Sequence, residues 1–450
     1  MDSAGHRPTL KLEGAAFVVT VDPERRVLGN ASVLIEGQRI ARIGKAEDLR
    51  GFDAERTIDA RGCVVLPAFV NGHMHISYAH AVRGNFPDDF VGRERLREVF
   101  RLQSAMREDE EYWTSLLAII ELLKSGTVTF VDPGSTQFID ACLQAYTDSG
   151  ARVISGTCVV DRESDLALPR FETAEALART EAFIRAYDGR LDGRLRAWAM
   201  PFSPDTCSSE LLAGARRVAD ENGTWMTIHH VGGATSELDR IGALGSNVLL
   251  SHAPGISDAE VELIAASGAS VVMCPSTTLK EGSRLGTRKL PELLARGVAV
   301  GLGCDSGNSS NFLDGVRMMN AAALGFKDGR ADVAFVPAEQ AVEMATLTGA
   351  RAVGLADEIG AVEVGKKADL VVFDTLRAEW RSLLDPVNNL IYCADGRSVR
   401  YVVADGRVVV DEGRVTFADE RQVAERVQAI SEELLSRTGA RVNRGRWPIT

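Results

Sequence analysis

Two histidines separated by a single residue offer the first chemistry in this chain. His73 and His75 follow an apolar, β-branched run that begins at Val64 and ends at Asn71-Gly72. Side chains two residues apart on a strand point to the same face, so both imidazoles are expected to face one way from the end of a buried strand. Two neutral imidazoles in this arrangement form half of a zinc-type site. An isolated His-x-His pair is also typical of structural or surface histidines, so the other histidines must decide.

Three further residues of types that bind metals close predicted apolar strands. His229, His252 and Asp305 each stand at the carboxyl end of such a strand. A lone carboxylate in that position is costly to bury unless it is paired or bound to a metal. Each residue taken singly can be read as a cap or a satisfied core residue. Their joint occurrence at one end of several strands favours a catalytic site, because (β/α)₈ barrels build their active sites at that end.

The elements that must position these residues alternate between strands and helices. The predicted helices between the strands include 108–124, 172–188, 209–221 and 258–267. The predicted strands are 64–72, 127–132, 151–160, 194–202, 225–231, 247–252, 269–274 and 298–304. Eight parallel strands over about 240 residues match a (β/α)₈ TIM barrel. A doubly wound open sheet is the alternative, but no Gly-x-Gly-x-x-Gly follows the first strand.

Both ends of the chain carry short β-rich segments outside this barrel. The predicted strands there are 10–21, 31–36, 39–43, 57–60, 369–373, 399–404 and 407–410, and helices are predicted at 338–354 and 420–438. The fold class is therefore α/β, a (β/α)₈ TIM barrel with a small β-sandwich built from both termini. The predicted divisions are 1–62 and 359–418 for the sandwich, 63–358 for the barrel, and 419–450 for a helix and tail.

Composition narrows the class of protein. The chain has 450 residues and a formal net charge of -12, without a lysine or arginine run. These features argue against a nucleic-acid or anionic-membrane partner. The charged first twenty residues are unlike a signal peptide, and no stretch approaches the roughly 18 apolar residues of a membrane span. Seven cysteines without paired spacing indicate reduced thiols and a cytoplasmic enzyme.

Several motifs together point to one family. They are Leu66-Pro-Ala-Phe-Val-Asn-Gly-His-Met-His, Val82-Arg-Gly, Leu123-Lys-Ser-Gly-Thr-Val-Thr, Cys274-Pro, Gly301-Leu-Gly-Cys-Asp, Met344-Ala-Thr-Leu-Thr-Gly-Ala, Ile359-Gly-Ala-Val-Glu-Val-Gly-Lys-Lys-Ala-Asp-Leu-Val and Asp385-Pro-Val. With these motifs the chain resembles the amidohydrolase superfamily nearly end to end. Within that superfamily it is most similar to the subgroup of triazine hydrolases and cytosine, guanine and S-adenosylhomocysteine deaminases.

The resemblance implies a single divalent metal ion. Zinc is the first choice, with iron, manganese or cobalt as alternatives. The implied ligands are His73, His75, His229 and Asp305. Relatives with a second metal carry a lysine at the end of the fourth strand, which is absent from Arg194–Pro201 here.

The implied catalytic groups are Asp305 and His252. A metal-bound water becomes hydroxide near pH 7, and Asp305 can move its proton to the leaving group. His252 would position or polarise water or substrate. The family ligand stands six residues after a helix-ending glycine, and counting from Gly223 gives His229. His230 would then support the ligands from outside the metal site or pack against the neighbouring strand, although a register shift would exchange the two.

One departure from the family pattern bears on the reaction. Deaminases of this subgroup place a glutamate three residues after the fifth-strand histidine, and this chain has Gly232 there. Losing a positioned proton donor typically costs about 10²–10⁴-fold in rate. We therefore expect hydrolysis of an amide, urea, carbamate or cyclic amide bond in a small molecule. The alternatives are deamination or dehalogenation of an N-heterocycle with that glutamate replaced, and a non-catalytic scaffold, which the complete ligand set argues against.

Candidate substrate contacts come from loops that follow the strands. Arg83, His80, Trp113 and Asn308 are the predicted substrate-binding residues, with alternatives of a salt bridge to Asp88 or Asp89 for Arg83 and a wall position for His80. Further pocket candidates are Tyr78, Phe86, Asp88, Asp89, Phe202, Asp205 and Met273. The resemblance also implies a homodimer or larger homo-oligomer.

Overall fold

The structure is a computed structural model that describes residues 9–134 and 136–440, without the side chains of Tyr78 and Ala79. Its strands are β1 Thr9–Val19, β2 Val27–Glu36, β3 Arg39–Lys45, β4 Arg56–Asp59, β5 Cys63–Pro67, β6 Phe69–Asn71, β7 Thr127–Val131, β8 Arg152–Ser155, β9 Cys158–Val159, β10 Leu195–Ala197, β11 Met200–Pro201, β12 Met226–His230, β13 Val248–His252, β14 Ser270–Met273, β15 Val300–Leu302, β16 Leu370–Asp374, β17 Val399–Ala404, β18 Arg407–Asp411 and β19 Arg414–Val415.

The helices separate the strands of the central region and continue after it. They are α1 Tyr78–Ala81, α2 Gly92–Ser104, α3 Glu108–Lys124, α4 Ile139–Ser149, α5 Thr173–Tyr187, α6 Ser209–Glu221, α7 Thr235–Arg240, α8 Asp258–Ser267, α9 Pro275–Lys280, α10 Leu290–Ala295, α11 Gly315–Arg330, α12 Ala338–Ala345, α13 Leu347–Ala352, α14 Pro386–Tyr392 and α15 Glu420–Thr438. Within the two described ranges, none of these helices combines the length and apolar character that a membrane crossing requires.

Strands from both ends of the chain form one sheet. Its order is β19-β18-β17-β16-β5-β1-β2-β3, and β4 pairs with β1. The β5 strand joins the two ends, because it runs parallel to β1 and antiparallel to β16. The two ends of the chain thus share a sheet through β5, a strand that the sequence analysis assigned to the barrel. The hydrogen bonds describe a single continuous sheet of nine strands, so the sandwich stays a prediction.

The central region contains two four-stranded parallel sheets. Their orders are β10-β8-β7-β6 and β12-β13-β14-β15, and β9 pairs with β11. The amide of Thr227 donates to the carbonyl of Ala199 over 3.0 Å, and the amide of Gly72 donates to the carbonyl of Leu302 over 2.8 Å. Backbone hydrogen bonds thus link the first and the second half of the region on both sides. A large apolar core runs through these strands and the helices around them.

The predicted strand 64–72 is divided between two sheets. Pro67 has no amide hydrogen to continue a ladder. After it, the amide of Ala68 donates to Asp369 in the terminal sheet, whereas the amide of Phe69 donates to Gly126 next to β7, over 2.9 and 2.8 Å. The predicted helix 338–354 is likewise divided, because Thr346 has non-helical torsions of -127° and -102°. Both divisions, at Pro67 and at Thr346, lie in the backbone, and the spacing of apolar residues does not predict them.

A buried ionic cluster connects β8 with the terminal sheet. The Nε of Arg152 lies 2.8 Å from Asp369, and its Nη2 lies 3.2 Å from Asp405. Lys367 adds a second cation 3.1 Å from Asp405. The Arg152, Asp369 and Asp405 side chains are at most 5% exposed. Because the charges are paired inside the protein, removing one partner leaves an uncompensated buried charge.

We expect Arg152→Met to lower the free energy of unfolding by about 3–5 kcal/mol, since Asp369 would lose its cation. Urea denaturation followed by circular dichroism measures the change. Arg421→Met is the matched control, because Arg421 forms an exposed pair with Glu425 and such pairs contribute about 1 kcal/mol or less. Equal effects of the two substitutions would contradict a stabilising role for the buried cluster.

Candidate metal and active site

Four imidazoles and one carboxylate converge at the carboxyl ends of the parallel strands. Nitrogen atoms of His73, His75 and His229 lie within 4.8 Å of one another, as do ligand atoms of His73, His252 and Asp305. The Nε2 of His75 lies 3.3 Å from that of His229 and 3.8 Å from Asp305 Oδ1. The structure thus brings together all five residues predicted to bind the metal or catalyse the reaction.

The loops that carry His73 and Asp305 are bonded to each other. The amide of Asp305 donates to the carbonyl of His73 over 2.9 Å. The Asn71 side-chain oxygen accepts from the amides of His73 and Cys304, each over 3.2 Å. These bonds join the end of β6 to the end of β15, so the two ligand-bearing loops are held at a fixed separation.

His229 and His230 occupy opposite sides of β12. The Nδ1 of His229 lies 3.0 Å from the carbonyl oxygen of Phe202. A carbonyl only accepts, so Nδ1 carries the proton and Nε2 keeps its lone pair toward His75. A hydrogen bond from the ring nitrogen that does not face the metal generally orients a metal-binding histidine. His230 is 1% exposed, and its Nε2 lies 2.9 Å from the Thr235 hydroxyl. The geometry therefore places His229 in the cluster and His230 in packing behind it.

His252 reaches the cluster through an unusual backbone conformation. In the parallel register His252 stands opposite His230, so strand alternation alone would put these two side chains on the same face. His252 instead has a φ of +71°, which ends the extended geometry. Its ring centroid lies 4.5 Å from that of His73. Asp305 also has a positive φ, +60°, and positive φ at residues other than glycine is a form of strain that clusters at functional sites.

Burial sets the protonation of the cluster. Removal from water, together with the neighbouring imidazoles, lowers the pKa of His73 and of His75 well below 6.5. Burial also lowers the pKa of His229 and of His252 to about 4. The imidazoles are therefore neutral at pH 7, the form that donates a lone pair to a metal. Burial raises the pKa of Asp305, a change that a bound cation would oppose.

The cluster has the donor set of a zinc-type site. Both ring nitrogens of His73 are buried without a hydrogen-bond partner, a costly arrangement that a cation would relieve. Neutral imidazoles with one carboxylate suit zinc and the later first-row metals. The residues present thus fit a divalent ion, and the ligand set His73, His75, His229 and Asp305 stays a prediction.

The position of the missing glutamate has no space for a side chain. A Cβ at Gly232 would lie 2.2 Å from the carbonyl oxygen of Gly255. Glu260 occupies the neighbouring space and accepts from the amide of Gly233 over 2.8 Å. Glu237, another acid of this segment, pairs with Arg240 over 2.6 Å. Neither Glu260 nor Glu237 is therefore a free carboxylate beside the β12–α7 loop.

The predicted substrate-binding residues lie in different surroundings. Arg83 forms an ion pair with Glu121 of α3 instead of Asp88 or Asp89. His80 is 4% exposed beneath Gly307, where a Cβ would lie 2.8 Å from its ring. Trp113 packs against the apolar cluster between α2 and α15. Asn308 is 1% exposed next to the Asp305 loop, with its side-chain nitrogen unpartnered. Their substrate contacts stay a prediction.

The further pocket candidates are also dispersed. Phe202 lies with its ring centroid 4.5 Å from that of His229, and Asp205 pairs with Arg93 over 3.2 Å. Met273 and Phe86 are buried, whereas Asp88 and Asp89 are exposed. The side chain of Tyr78 and all of His6 lie outside the described residues. Sequence reasoning missed the buried Arg95 of α2, which contacts Ser309 and Glu281 next to the Asp305 loop and which no motif distinguished.

We expect Gly232→Ala to lower the free energy of unfolding by about 1–3 kcal/mol, because the added methyl group overpacks the contact with Gly255. Thermal denaturation of the purified variant measures the loss. Gly51→Ala is the matched control, since a Cβ there meets nothing within 4 Å. A Gly232→Ala protein as stable as Gly51→Ala would show that this loop yields to a side chain.

The chain is similar to known proteins over most of its length. The profile of the Amidohydrolase family matches residues 64–409. A 5'-deoxyadenosine deaminase of Methanosarcina acetivorans is 33% identical over 441 residues, covering 94% of this chain and 98% of that protein. A 5-methylthioadenosine/S-adenosylhomocysteine deaminase of Syntrophobacter fumaroxidans is 32% identical, covering 93% of this chain and 97% of its own length.

The fold of one solved structure resembles that of this protein over almost the whole chain. The crystal structure of an adenosine deaminase from Xanthomonas campestris with bound zinc has a TM-score of 0.85 to this chain. The two are 25% identical, and the match covers 95% of this chain and 98% of the other. The family resemblance in the sequence is thereby confirmed. The chain belongs to the amidohydrolase family, and it is a hydrolase of carbon–nitrogen bonds other than peptide bonds.

Proposed function

We propose that the protein is a metal-dependent aminohydrolase that deaminates a purine nucleoside of the 5'-deoxyadenosine type. The observation that carries the proposal is the convergence of His73, His75, His229, His252 and Asp305 at one end of the parallel strands. Full-length similarity to relatives named as nucleoside deaminases supports the choice of bond and substrate class. Deamination, an alternative on sequence alone, is therefore favoured over the amide, urea or carbamate cleavage that the absent glutamate suggested.

The metal would be held by His73, His75, His229 and Asp305. Zinc is the first choice, supported by the zinc in the Xanthomonas campestris structure, with iron, manganese or cobalt as alternatives. When bound, such an ion lowers the pKa of a coordinated water toward neutrality. The contact between His229 Nδ1 and the Phe202 carbonyl keeps Nε2 available for this role.

Two side chains of the cluster would handle substrate and protons. Asp305 accepts a proton from the attacking water and donates it to the departing amino group, so that the carbon–nitrogen bond breaks with release of ammonia. His252, beside His73 and neutral at pH 7, orients the water or the reacting ring by hydrogen bonding. The burial of the cluster excludes bulk water and strengthens these electrostatic interactions.

A second candidate function remains hydrolysis of an amide, urea, carbamate or cyclic amide. Its specific support is the absence of space at Gly232, where deaminases of the subgroup place the acid that protonates a ring nitrogen. Attack at a carbonyl carbon does not require that acid. The two candidates differ in product, because only deamination of an exocyclic amine must release ammonia.

We also propose the domain organisation, the cellular location and the assembly of the protein. The backbone bonds from Thr227 to Ala199 and from Gly72 to Leu302 support closure of the eight strands into a (β/α)₈ barrel over residues 63–358. Segments 1–62 and 359–418 would form the β-sandwich, and 419–450 the terminal helix and tail. The net charge and reduced cysteines support a cytoplasmic enzyme of small molecules, and the family resemblance supports a homo-oligomer.

We expect the purified protein to release ammonia from 5'-deoxyadenosine, 5-methylthioadenosine or S-adenosylhomocysteine, with loss of activity in Asp305→Asn. Glutamate-dehydrogenase-coupled detection of ammonia, together with the absorbance change from adenine to hypoxanthine, measures the reaction. Ammonia-free cleavage of an aryl carbamate or anilide, with no nucleoside deaminated, would instead select the second candidate.

We expect His229→Ala to lose the bound divalent ion and His230→Ala to retain it, because only His229 points its free nitrogen toward His75. Elemental analysis after dialysis against a weak chelator measures metal per chain. Circular dichroism of both variants controls for folding. Loss of metal from His230→Ala alone would show that the register of β12 differs from this structure.

A further inference from the structure

A chain of buried side-chain hydrogen bonds begins at the residue next to Asp305. The hydroxyl of Ser306 donates to the side-chain oxygen of Asn308 over 2.6 Å and lies 2.7 Å from the hydroxyl of Ser309. The amide of Ser309 also donates to the carbonyl of Ser306 over 2.9 Å. Ser306, Asn308 and Ser309 are each at most 4% exposed, so water competes little for these bonds.

The guanidinium group of Arg95 stands at the other end of this chain. Arg95 lies in α2, 214 positions before Ser309, and its Nη1 donates to the Ser309 hydroxyl oxygen over 2.7 Å. Arginine can only donate, so the hydrogen of the Ser309 hydroxyl is left for Ser306, whose own hydrogen goes to Asn308. The hydrogen bonds therefore run in one direction, from Arg95 to the residue that follows Asp305.

The position of Arg95 is itself fixed by contacts on two sides of α2. Its Nη2 forms an ion pair with Glu281, which directly follows α9. Arg93, two residues earlier in α2, pairs with Asp165 over 2.5 Å and with Asp205 over 3.2 Å. Ion pairs thus connect α2 to the loops after β9 and β11 and to the end of α9. The Arg95 side chain is only 8% exposed between them.

Asp305 requires such support because of its backbone conformation. Its φ of +60° is a strained value for a residue with a side chain, and it persists only where the surroundings enforce it. The Asp305 amide is bonded to the carbonyl of His73 over 2.9 Å. Because each peptide unit is planar, holding Ser306 as well leaves little freedom in the two backbone torsions of Asp305. These torsions determine where the carboxylate points.

We propose that Arg95 is a positioning residue for Asp305, and that it acts through Ser309 and Ser306 instead of by contact with the carboxylate or the substrate. The inference rests on the proposed function, in which Asp305 binds the metal and carries a proton. Carboxylates that bind metals are commonly held by outer hydrogen bonds, and loss of an outer partner typically weakens metal binding by about 10- to 100-fold.

Binding of cobalt(II) tests the inference without any substrate. The visible absorption of bound cobalt(II) reports its ligands and their geometry, and competition with a chromogenic chelator gives the dissociation constant. Arg95→Met should weaken cobalt(II) binding by about 10- to 100-fold and alter the absorption spectrum, as Asp305→Asn should. Arg95→Lys keeps a cationic donor and should recover part of the affinity.

Ser309→Ala separates the hydrogen-bond chain from the ion pair. It removes the middle of the chain and leaves Arg95 paired with Glu281, so it also tests the inference if Arg95→Met fails to fold. Because Arg95 is proposed to act through Ser309, the double variant should bind cobalt(II) no more weakly than the weaker-binding single variant. Losses of binding free energy that simply add would show independent effects and overturn the inference.

Arg97→Met is the matched control on the same helix. The Arg97 side chain is 52% exposed and pairs with Asp165, outside the chain of hydrogen bonds to Asp305. This variant should keep the wild-type affinity and spectrum. Circular dichroism of every variant controls for folding. A folded Arg95→Met protein with the wild-type affinity and spectrum would overturn the inference.

Failure of the proposed function has a different signature. Wild-type protein that binds no cobalt(II), or an Asp305→Asn variant that binds it unchanged, overturns the metal-binding role of Asp305 and the inference with it. Absence of ammonia release from every nucleoside overturns only the deaminase proposal, because cobalt(II) binding needs no substrate. A spectrum that responds to Asp305→Asn but not to Arg95→Met or Ser309→Ala overturns the inference alone.

Discussion

The crowding of four imidazoles in a space removed from water is the constraint on which the site depends. Protonating any of them would place a charge beside other imidazoles in a poorly solvated environment, so the pKa values of His73 and His75 fall well below their usual range. The same desolvation raises the pKa of the carboxyl group of Asp305. A cation at their centre would be attracted by all the neutral lone pairs and by the carboxylate at once. The site is therefore organised for a positive charge and not for a proton.

Holding this cluster together requires backbone conformations that the chain would not adopt freely. His252 and Asp305 both have positive φ values, which cost free energy for residues with a side chain. The surrounding hydrogen bonds provide the compensation. The Asp305 amide donates to His73, and Asn71 binds the amides on both sides of the β6–β15 contact. The apolar core behind the strands fixes where those backbone groups lie, so the geometry of the ligands depends on packing far from them.

Strand periodicity and motif spacing account for much of this architecture. Alternation placed His73 and His75 on one face, and apolar periodicity located helices such as Glu108–Lys124. The conformation of His252 lay beyond such reasoning, because its register partner His230 faces the other way and only the positive φ separates them. Arg95 was equally hidden in the charged segment of α2. Its burial depends on contacts with Ser309 and Glu281, residues 214 and 186 positions away, which no local pattern reports.

The glycine at position 232 shows why a missing catalytic residue does not by itself exclude a reaction. The sequence comparison treats the position as a lost proton donor. In the structure the loop packs against Gly255 and leaves no room for a side chain at position 232, so this backbone conformation cannot present an acid there. Negative charge that develops on a substrate ring can be stabilised by a proton or by a fixed cation. Both lower the energy of the transition state electrostatically. A loop without an acid is therefore physically compatible with deamination, the reaction named for the relatives.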